Sequence, residues 1–479
     1  MTNPPEHART DSLMAPPPGC PAHIGASHAG ASRLYGPEAE SDPYGLYERL
    51  RAKHGPVAPV LLSGDLPAWL VLGYRENLDV ARTPSRFSRD SRHWREFREG
   101  RVPPDHPLAP VTAWQPICVF ADGEQHERWR GAVNDSIARF DKRGIRRHVT
   151  QCVNQLVDHF CADGRADLVS QFAEHLPMMA MTQLLGMPEE ASPRLANAAL
   201  DMLRGTETAV ASNDFLQETL RELVARKRVQ PGADFTSWLL EHPSGLSDNE
   251  VQEHLRLVLI AAYESTVNII ANTLKMVLTD VRFRASLAGG HMTLPDAVEQ
   301  VLWDEPPFIA ILGRWATQDT ELGGQQIKAG DALVMGLAAA NMDKVVRPDL
   351  DAPIHGNRAH LAFSGGAHEC PGQDVGRAIA GTGLDALLWR LPDLTLACDE
   401  SELNYLSAMM SRRLTELPVK FTPHQPRLSE LVDYESASAQ PGAPSGRTTA
   451  PATTPGESSP ARSSWWKSLM KRKWLRRRC

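Results

Sequence analysis

The chain has 479 residues, of which 42% are hydrophobic and 23% charged, an ordinary composition for a globular protein with a large buried core. Its seven cysteines are widely spaced and include no CxxC pair, which argues against a disulfide framework and for a reducing compartment. The net charge is −7, yet residues from 426 onward hold ten Lys and Arg against four Asp and Glu, so the body of the chain is acidic and we expect no nucleic-acid binding.

Composition divides the chain into four regions. Residues 1–30 are rich in Pro, Ala, Gly and Ser and lack the apolar segment of a signal peptide or membrane anchor, which predicts a disordered leader. Residues 31–425 contain no low-complexity break and are predicted to form one domain. Residues 426–460 have the composition of a disordered linker, and residues 461–479 form a separate basic tail.

The domain is predicted to be mainly α with a minor β part. Helical spacing of apolar residues occurs in segments 175–190, 213–228 and 383–391. Short strand-like runs bounded by Gly and Pro occur in segments 59–63, 68–73, 327–336 and 417–423.

The longest apolar run extends from Leu255 to Leu278 and is apolar almost all the way round. It is either a membrane span or a helix through the centre of a large protein. Glu264 lies in its middle, where a carboxylate in a bilayer would cost about 2.5–3.5 kcal/mol, so we favour the central helix. Ser247 with Glu250 three residues later predicts a capping box at its start.

The segment HLAFSGGAHECPG, residues 360–372, places Cys370 in a glycine-rich loop. A zinc site needs four ligands, and His360 and His368 are nearby without a second Cys. A nucleophile needs a base and an orienting group, for which no signature surrounds this cysteine. A packing role suits a strand or a helix better than a loop of glycines. The remaining alternative is an axial thiolate ligand of a haem.

Several features of the loop favour that alternative. Gly365, Gly366 and Gly372 allow the backbone to lie flat against a large planar cofactor. Pro371 suits the first turn of a following helix, whose N-terminal N–H groups favour a thiolate. A thiolate on haem iron favours O–O bond cleavage.

The tail WWKSLMKRKWLRRRC has a basic amphipathic pattern. Trp466, Leu469, Met470 and Trp474 fall along one helical stripe, with Lys and Arg elsewhere. Such a helix lies on an anionic membrane surface, and a disordered tail without function is the alternative.

The pattern FxxGxxxCxG, carried by Phe363, Gly366, Cys370 and Gly372, resembles the cysteine loop of the cytochrome P450 superfamily. The resemblance covers roughly residues 35 to 422 and is to the soluble bacterial type. It implies a haem b (iron protoporphyrin IX) held between a long central helix and the cysteine loop. By this resemblance Cys370 is the iron ligand, Phe363 packs beside it, and His368 approaches a haem propionate. The glycine that usually follows the Phe is replaced by Ser364.

Other segments resemble the propionate-binding parts of the same family. DGEQHERWR resembles its C helix, in which His126 and Arg130 would bind propionates, and Arg314 matches a further propionate ligand. Buried propionates need charged hydrogen-bond donors, which these residues supply. Each of them taken alone is also readily explained as a solvated surface base.

The segment AAYEST resembles the family's central-helix motif. Glu264 would be the acid and Ser265, followed by Thr266, the alcohol of a proton path to the reacting dioxygen. The alternative is a glutamate satisfied by a local hydrogen bond. Two positions depart from the pattern: Ser265 replaces a Thr, and Ala262 replaces a Gly where the helix normally bulges.

The family's ExxR pair is missing from the segment AVEQVLWDEPP. Gln300 occupies the Glu position and Trp303 the Arg position, as in an actinobacterial subgroup with EQxLW. Glu299 lies one residue early, about 100° round the helix, and cannot substitute without a shift. Loss of both charges is tolerable, since Trp303 fills the Arg volume and its indole N–H can reach a carbonyl. His355 or Arg358 is the candidate third member.

The resemblance implies a cytoplasmic monooxygenase, and the basic tail separately predicts a peripheral membrane contact. Such a monooxygenase inserts one oxygen atom from O2 into a small organic substrate and receives electrons from a ferredoxin and its reductase. The basic segment 139–148, with Lys142 and Arg143, is a candidate ferredoxin-docking face. Alternatives are a non-enzymatic haem-binding or regulatory protein and a peroxide-driven oxidase.

Predicted pocket walls are the stretch after Arg86, residues 195–215, the helix around Leu259, and residues 308–312. The basic stretch 86–101 is either a solvated loop or a site for an acidic molecule.

Overall fold

The structure, a computed structural model, describes residues 28–204, 207–280, 293–350, 354 and 356–427. The predicted leader up to residue 27, the predicted linker beyond residue 427 and the predicted tail lie outside the described residues.

Helices make up most of the described chain, as the sequence predicts. The α-helices are α1 (Pro37–Ser41), α2 (Pro43–His54), α3 (Tyr74–Arg82), α4 (Arg95–Arg98), α5 (Ala109–Thr112), α6 (Gly123–Ala138), α7 (Lys142–Phe160), α8 (Leu176–Leu184), α9 (Ser192–Arg204), α10 (Ala209–Val229), α11 (Phe235–Glu241), α12 (Asp248–Thr279), α13 (Leu294–Asp304), α14 (Leu337–Asn341) and α15 (Gln373–Arg390). The shorter elements are a π-helical turn (Val169–Ala173) and 3-10 helices at Ser91–His93, Cys118–Phe120, Glu189–Ala191, Gly366–His368 and Glu400–Glu402.

The strands form one larger sheet and three small ones. They are β1 (Ser32–Arg33), β2 (Val57–Leu62), β3 (Leu66–Val71), β4 (Phe87–Ser88), β5 (Arg165–Asp167), β6 (Ile311–Ala316), β7 (Thr320–Leu322), β8 (Gln325–Ile327), β9 (Ala332–Met335), β10 (Thr395–Leu396), β11 (Tyr405–Ser407), β12 (Arg412–Leu414) and β13 (Pro418–Lys420). The six-stranded sheet has the order β1-β2-β3-β9-β6-β4, and the three-stranded sheet has the order β10-β13-β5. Two hairpins, β7-β8 and β11-β12, stand apart from these sheets.

The sequence predictions for individual elements are confirmed. The three segments with helical spacing overlap α8, α10 and α15, and the four strand-like runs overlap β2, β3, β9 and β13. The mainly α architecture with a smaller β part is likewise the one observed.

The central helix α12 begins at the predicted capping box. Glu250 N–H donates to Ser247 Oγ (3.2 Å), and Ser247 N–H donates back to Glu250 Oε2 (2.8 Å). The same carboxylate also accepts from Trp129 Nε1 (2.7 Å) and from Arg128 Nη1 (2.9 Å), so it ties α6 to the first turn of α12.

Among the described residues, α12 is the one helix long and apolar enough to cross a membrane. More than half of its most apolar stretch is nevertheless buried by protein, including Leu259, Val267, Ile270 and Leu274. Those side chains belong to the main core, which α12 shares with α7, α8, α10 and α15. This burial favours the central-helix interpretation over the membrane span.

Candidate active site

Cys370 lies at the end of the cysteine loop, residues 360–372, just before α15 begins at Gln373. Its backbone N–H donates to the Phe363 carbonyl oxygen (3.0 Å), and the Gly372 N–H points at its sulfur. Burial raises the pKa of the Cys370 thiol, while the Gly372 N–H and nearby arginine charges oppose that rise. A bound metal ion is the charge that converts such a buried thiol to a thiolate. The surroundings of Cys370 therefore fit an axial metal ligand.

Two residues of the loop have left-handed backbone conformations. Gly366 has φ +69°, and a Cβ there would overlap the carbonyl oxygen of Ala81 at the end of α3. This glycine is therefore required by close packing against a neighbouring helix. The sequence predicted a different reason for it, namely room for a planar cofactor. Ser364 has φ +61°, so the serine stands where the family's usual glycine would be free of strain.

Buried nitrogen atoms without hydrogen-bond partners gather next to the loop. They are His126 Nε2 on α6, Arg314 Nε and Nη1 on β6, and His368 Nδ1 in the loop itself. The rings of His126 and His368 lie with centroids 4.2 Å apart. A buried polar group left unpaired costs about 1–3 kcal/mol, so this concentration indicates an anionic ligand. All three residues were candidates from the sequence, and the structure brings them together.

Arg130, the fourth candidate propionate ligand, is also buried beside the loop. Its Nε donates to Asn134 Oδ1 (3.0 Å), and its Nη2 donates to the Glu369 carbonyl oxygen, directly before Cys370. Arg130 is 8% exposed, and the charge of its guanidinium lowers the pKa of the Cys370 thiol. Arg130 therefore lies between α6 and the sulfur.

Two further charged residues of this cluster, Arg89 and Asp122, are not among the site residues predicted from the sequence. Asp122 accepts from Ser88 Oγ (2.6 Å) and His368 Nε2 (3.1 Å); burial alone would raise its pKa, but such hydrogen bonds lower it to about 2. The Arg89 guanidinium donates to the carbonyl oxygens of Val119 (2.9 Å) and Gly313 (2.7 Å). Burial lowers the pKa of Arg89 to about 10.

A β-bulge brings Arg89 close to Arg314. The register between β6 and β9 shifts between Leu312 and Arg314, where Gly313 has φ +132°. A Cβ on Gly313 would lie 2.5 Å from Arg89 Nη1, so only glycine leaves room for this guanidinium. Burial lowers the pKa of Arg314 far below its usual value, and the positive charge of Arg89 lowers it further. Sequence patterns give no signal for this pairing, because it depends on the bulge.

The charges of the cluster fit a dianionic ligand. Arg89, Arg130 and Arg314 supply three positive charges and Asp122 one negative charge. Burial lowers the pKa values of His126 and His368, so both are neutral near pH 7. The resulting excess of two positive charges matches the two propionates of the haem that the resemblance implies. The residues present therefore fit this cofactor.

The candidate proton-path residues lie midway along α12. Ser265 Oγ donates to the Ala261 carbonyl oxygen (2.7 Å), and this bond fixes the orientation of the hydroxyl. Glu264 Oε1 accepts from Ser411 Oγ (2.8 Å), and burial raises the pKa of Glu264. Thr266 is buried. Ala261 is exposed although residues 250–260 and 262–279 of α12 are buried or partly buried, so this turn of α12 faces open space.

The positions that replace ExxR behave as the sequence predicts. Trp303 is fully buried on α13, and its indole Nε1–H donates to the Asn357 carbonyl oxygen (2.8 Å), which confirms the prediction. Arg347 stacks on the indole (5.5 Å) and pairs with Asp304 (2.6 Å). Gln300 Nε2 also donates to Asp304 (2.6 Å). An aromatic and amide arrangement therefore fills the place of the usual charge pair.

Glu299 has partners that the sequence analysis did not foresee. It is 4% exposed and accepts from Arg377 Nε (2.6 Å) on α15 and from His360 Nε2 (3.1 Å) in the cysteine loop. It does not replace residue 300, because the turn of the helix directs it to a different neighbour. Of the two candidates for a third member, Arg358 lies 3.5 Å from Glu299, and His355 lies outside the described residues.

The basic stretch 86–101 is largely neutralised. Arg86 pairs with Asp79 (2.6 Å), Arg95 with Asp331 (3.1 Å), and Arg101 with Glu96 and Glu99. Arg89 belongs to the cluster described above. These contacts leave little free charge there for an acidic molecule.

Comparisons with known proteins agree on one family. No family model matches the chain. The chain is 30% identical over 392 residues to a 2-hydroxy-5-methyl-1-naphthoate 7-hydroxylase from Streptomyces carzinostaticus, covering 79% of this chain and 95% of that protein. It is 33% identical over 400 residues to the cytochrome P450 monooxygenase PikC from Streptomyces venezuelae, covering 81% and 92%.

Solved structures give the same result. CYP154C4 from Streptomyces sp. W2061 matches with a TM-score of 0.72 at 28% identity, covering 80% of this chain and 96% of that chain. CYP154A1 from Streptomyces coelicolor A3(2) matches with a TM-score of 0.70 at 30% identity, covering 79% and 98%.

Proposed function

The chain belongs to the cytochrome P450 superfamily, and on that premise we propose that it oxygenates a small, mainly apolar organic molecule with electrons from a ferredoxin. Its curated relatives include hydroxylases and monooxygenases, so it is a haem monooxygenase and an oxidoreductase with haem b as cofactor. The observation that carries the proposal is the set of unpartnered buried nitrogens of His126 and Arg314 beside Cys370.

The haem, when bound, supplies the binding and activation of dioxygen. Cys370 would hold the iron through its sulfur, with His126, Arg130 and Arg314 as donors to the propionates. The sequence also makes His368 a candidate there, but its one N–H is donated to Asp122, so it would hold that aspartate beside the donors. Arg377 stacks on Phe363 (4.5 Å), which lies in the loop before Cys370. Glu264, Ser265 and Thr266 of α12 would hold and move protons, with Glu264 as the acid.

An absorption experiment tests the role of Cys370. The ferrous carbonyl complex of the wild type should show the red-shifted Soret band of a thiolate-ligated haem. Cys370→His should show an imidazole-type band instead, while still binding haem through the cluster of donors. A wild-type complex with an imidazole- or thiol-type band would contradict the proposal.

The apolar side chains on the exposed turn of α12 support an apolar substrate. Leu257, Val258 and Ile260 are partly buried at the edge of the main core, next to the exposed Ala261. A related structure, CYP267B1, is a complex with myristic acid. We expect apolar compounds to displace an iron-bound water and shift the Soret band to shorter wavelength. Ala261→Trp should block this shift without changing the carbonyl spectrum, and unaltered binding would count against this wall.

The docking proposal for a ferredoxin rests on the start of α7. Lys142 Nζ pairs with Asp374 (3.0 Å), four residues after Cys370. The basic segment 139–148 therefore lies beside the end of the cysteine loop. Arg143 and Arg146 are exposed. Because ferredoxins are acidic, these charges support docking close to the iron ligand.

Charge reversal tests this docking face. Lys142→Glu combined with Arg143→Glu should slow reduction by a ferredoxin at low salt, and the difference should shrink at high salt. Lys53→Glu on α2 is the matched control. Equal reduction rates for all three proteins at low salt would remove the proposed docking face.

The basic tail supports a membrane-contact proposal from its sequence alone. Residues 461–479 should increase co-sedimentation with vesicles that contain anionic lipid. The protein shortened at residue 460 should sediment less, and equal sedimentation of the two proteins would remove the proposal.

A further inference from the structure

The β11–β12 hairpin reaches the candidate acid on α12. Ser411 lies at the end of its tip, residues 408–411, and its Oγ donates to Glu264 Oε1 (2.8 Å). The tip is a tight turn closed by a bond from Ala408 N–H to the Ser411 carbonyl oxygen (2.8 Å). Ser411 is therefore held by the backbone, and its hydroxyl position is determined by the hairpin.

The same hairpin tip is bonded to a predicted substrate-facing wall. The Met410 carbonyl oxygen accepts from the N–H groups of Ile309 (2.8 Å) and Ala310 (3.3 Å). Met409 and Met410 pack against a group of buried apolar residues that includes Ile309, Ala310 and Leu312, as does Leu257 of α12. One short segment thus contacts both the wall at residues 308–312 and the carboxyl of Glu264.

Few charged or polar groups act on the carboxyl of Glu264. Burial raises the pKa of its carboxyl, and the Ser411 hydroxyl and the charge of Arg413 oppose that rise. Arg413, on β12, is itself shared with Glu174 (3.7 Å). Ser411 is therefore a close neutral donor to a carboxyl that has no closely paired cation among the described residues.

We propose that Ser411 is a positioning residue that holds Glu264, and that the hairpin tip transmits occupation of the substrate pocket to this acid. This inference rests on the proposed role of Glu264 in oxygenation. When Ser411 donates, the carboxylate form is favoured. When a bound molecule displaces the 308–312 wall, Met410 and Ser411 move with it, the donated bond is lost, and Glu264 takes up a proton from water.

Infrared difference spectroscopy of the intact haem-loaded protein tests the first part. The carbonyl band of protonated Glu264 is identified by its loss in Glu264→Gln, and its appearance is followed against pH. In Ser411→Ala the midpoint should rise by about one pH unit, because one hydrogen bond to a carboxylate is lost. Ser411→Thr, which keeps the hydroxyl, and Ser407→Ala, on the same hairpin, should titrate like the wild type. An unchanged midpoint in Ser411→Ala would overturn the inference.

Occupation of the pocket tests the second part. The iron ligand 4-phenylimidazole fills the space above the haem and serves as the probe. It should raise the midpoint in the wild type and produce no further rise in Ser411→Ala. The absence of a rise in the wild type, or an equal rise in both proteins, would contradict the coupling.

The two proposals fail separately. Turnover that survives in Glu264→Gln would remove the proposed catalytic role of Glu264, whereas an unaltered titration in Ser411→Ala would remove only the hairpin's part.

Discussion

The buried Glu299 and the partly buried Arg377 form an ion pair that joins α13 to α15, with Arg377 Nε 2.6 Å from Glu299 Oε1. The guanidinium of Arg377 also covers the ring of Phe363 (4.5 Å), and His360 binds the same carboxylate (3.1 Å). The cysteine loop is therefore attached to α13 by a charge pair, although the family's usual pair is absent from that helix.

Glu299→Gln should lower stability in a pH-dependent way. Burial alone would raise the pKa of Glu299, but hydrogen bonds from His360 and Arg377 lower it to about 2. Because the folded-state pKa is depressed, its stabilisation is present above pH about 4.5 and is lost as pH falls toward about 2. The substitution should cost about 3 kcal/mol in the free energy of unfolding at pH 7.

Urea unfolding at pH 7 and pH 3 measures this effect. The difference between Glu299→Gln and the wild type should narrow at the lower pH. Glu38→Gln, at an exposed position on α1, is the control and should match the wild type at both. A difference that is the same at both pH values would contradict the linkage.

Trp303→Arg should destabilise the protein even though arginine is the family's usual residue there. The site is fully buried, and the charged group stacked on it is another cation, Arg347 (5.5 Å). An unpaired buried charge costs about 3–5 kcal/mol. The double variant Gln300→Glu with Trp303→Arg should recover part of this loss because it supplies an acid.

Trp303→Phe is the matched comparison. It keeps the ring and loses the bond to the Asn357 carbonyl oxygen, which should cost about 1 kcal/mol. Thermal and urea unfolding of the wild type, Trp303→Arg, Trp303→Phe and the double variant would measure these differences, and a Trp303→Arg protein as stable as Trp303→Phe would refute the explanation.

Arg89→Met should weaken haem binding. Arg89 supplies one of the three positive charges opposite Asp122, and the excess over Asp122 falls to one when it is removed. We expect haem affinity to fall roughly 10-fold, as for loss of one charged interaction. Transfer of haem to apomyoglobin measures the affinity. Arg92→Met, at a surface arginine paired with Asp90, is the control, and equal transfer rates for both variants would rule out this role for Arg89.

Ser364→Gly should stabilise the cysteine loop. Ser364 has φ +61°, a conformation that costs a residue with a Cβ about 1–2 kcal/mol and glycine little. Glycine also loses more chain entropy on folding, so we expect a net gain of about 1 kcal/mol or less. Ser364→Ala keeps the strain and should be less stable than Ser364→Gly. Calorimetry of the haem-loaded variants would measure this order, and the reverse order would disprove it.

The sequence predicted those features that depend on local spacing. The capping box at Ser247 and Glu250, the burial of α12 and the indole bond of Trp303 follow from neighbouring residues or from volume, and the structure has all three. The cysteine-loop motif led to the family, which the relatives confirm.

The missed features depend on how distant elements approach each other. Arg89 reaches Arg314 only because of the bulge at Gly313, and Ser411 reaches Glu264 only because a hairpin folds over α12. Helix geometry predicted only that Glu299 lies about 100° round the helix from residue 300, and its partners come from the cysteine loop and α15. Spacing within one helix gives the direction of a side chain but not what lies in that direction.

Glu250 joins α6 and α12, the two helices that carry candidate residues of the haem site. Its carboxylate binds Arg128 and Trp129 on α6, the helix that also carries His126 and Arg130. It also binds Ser247 at the start of α12, the helix that carries Glu264. Drift of either helix along its axis would have to break these bonds first. These bonds therefore fix the spacing between the candidate propionate donors on α6 and the turn of α12 that carries Glu264. Loops and termini can change in sequence without altering this spacing, so the chemistry is retained.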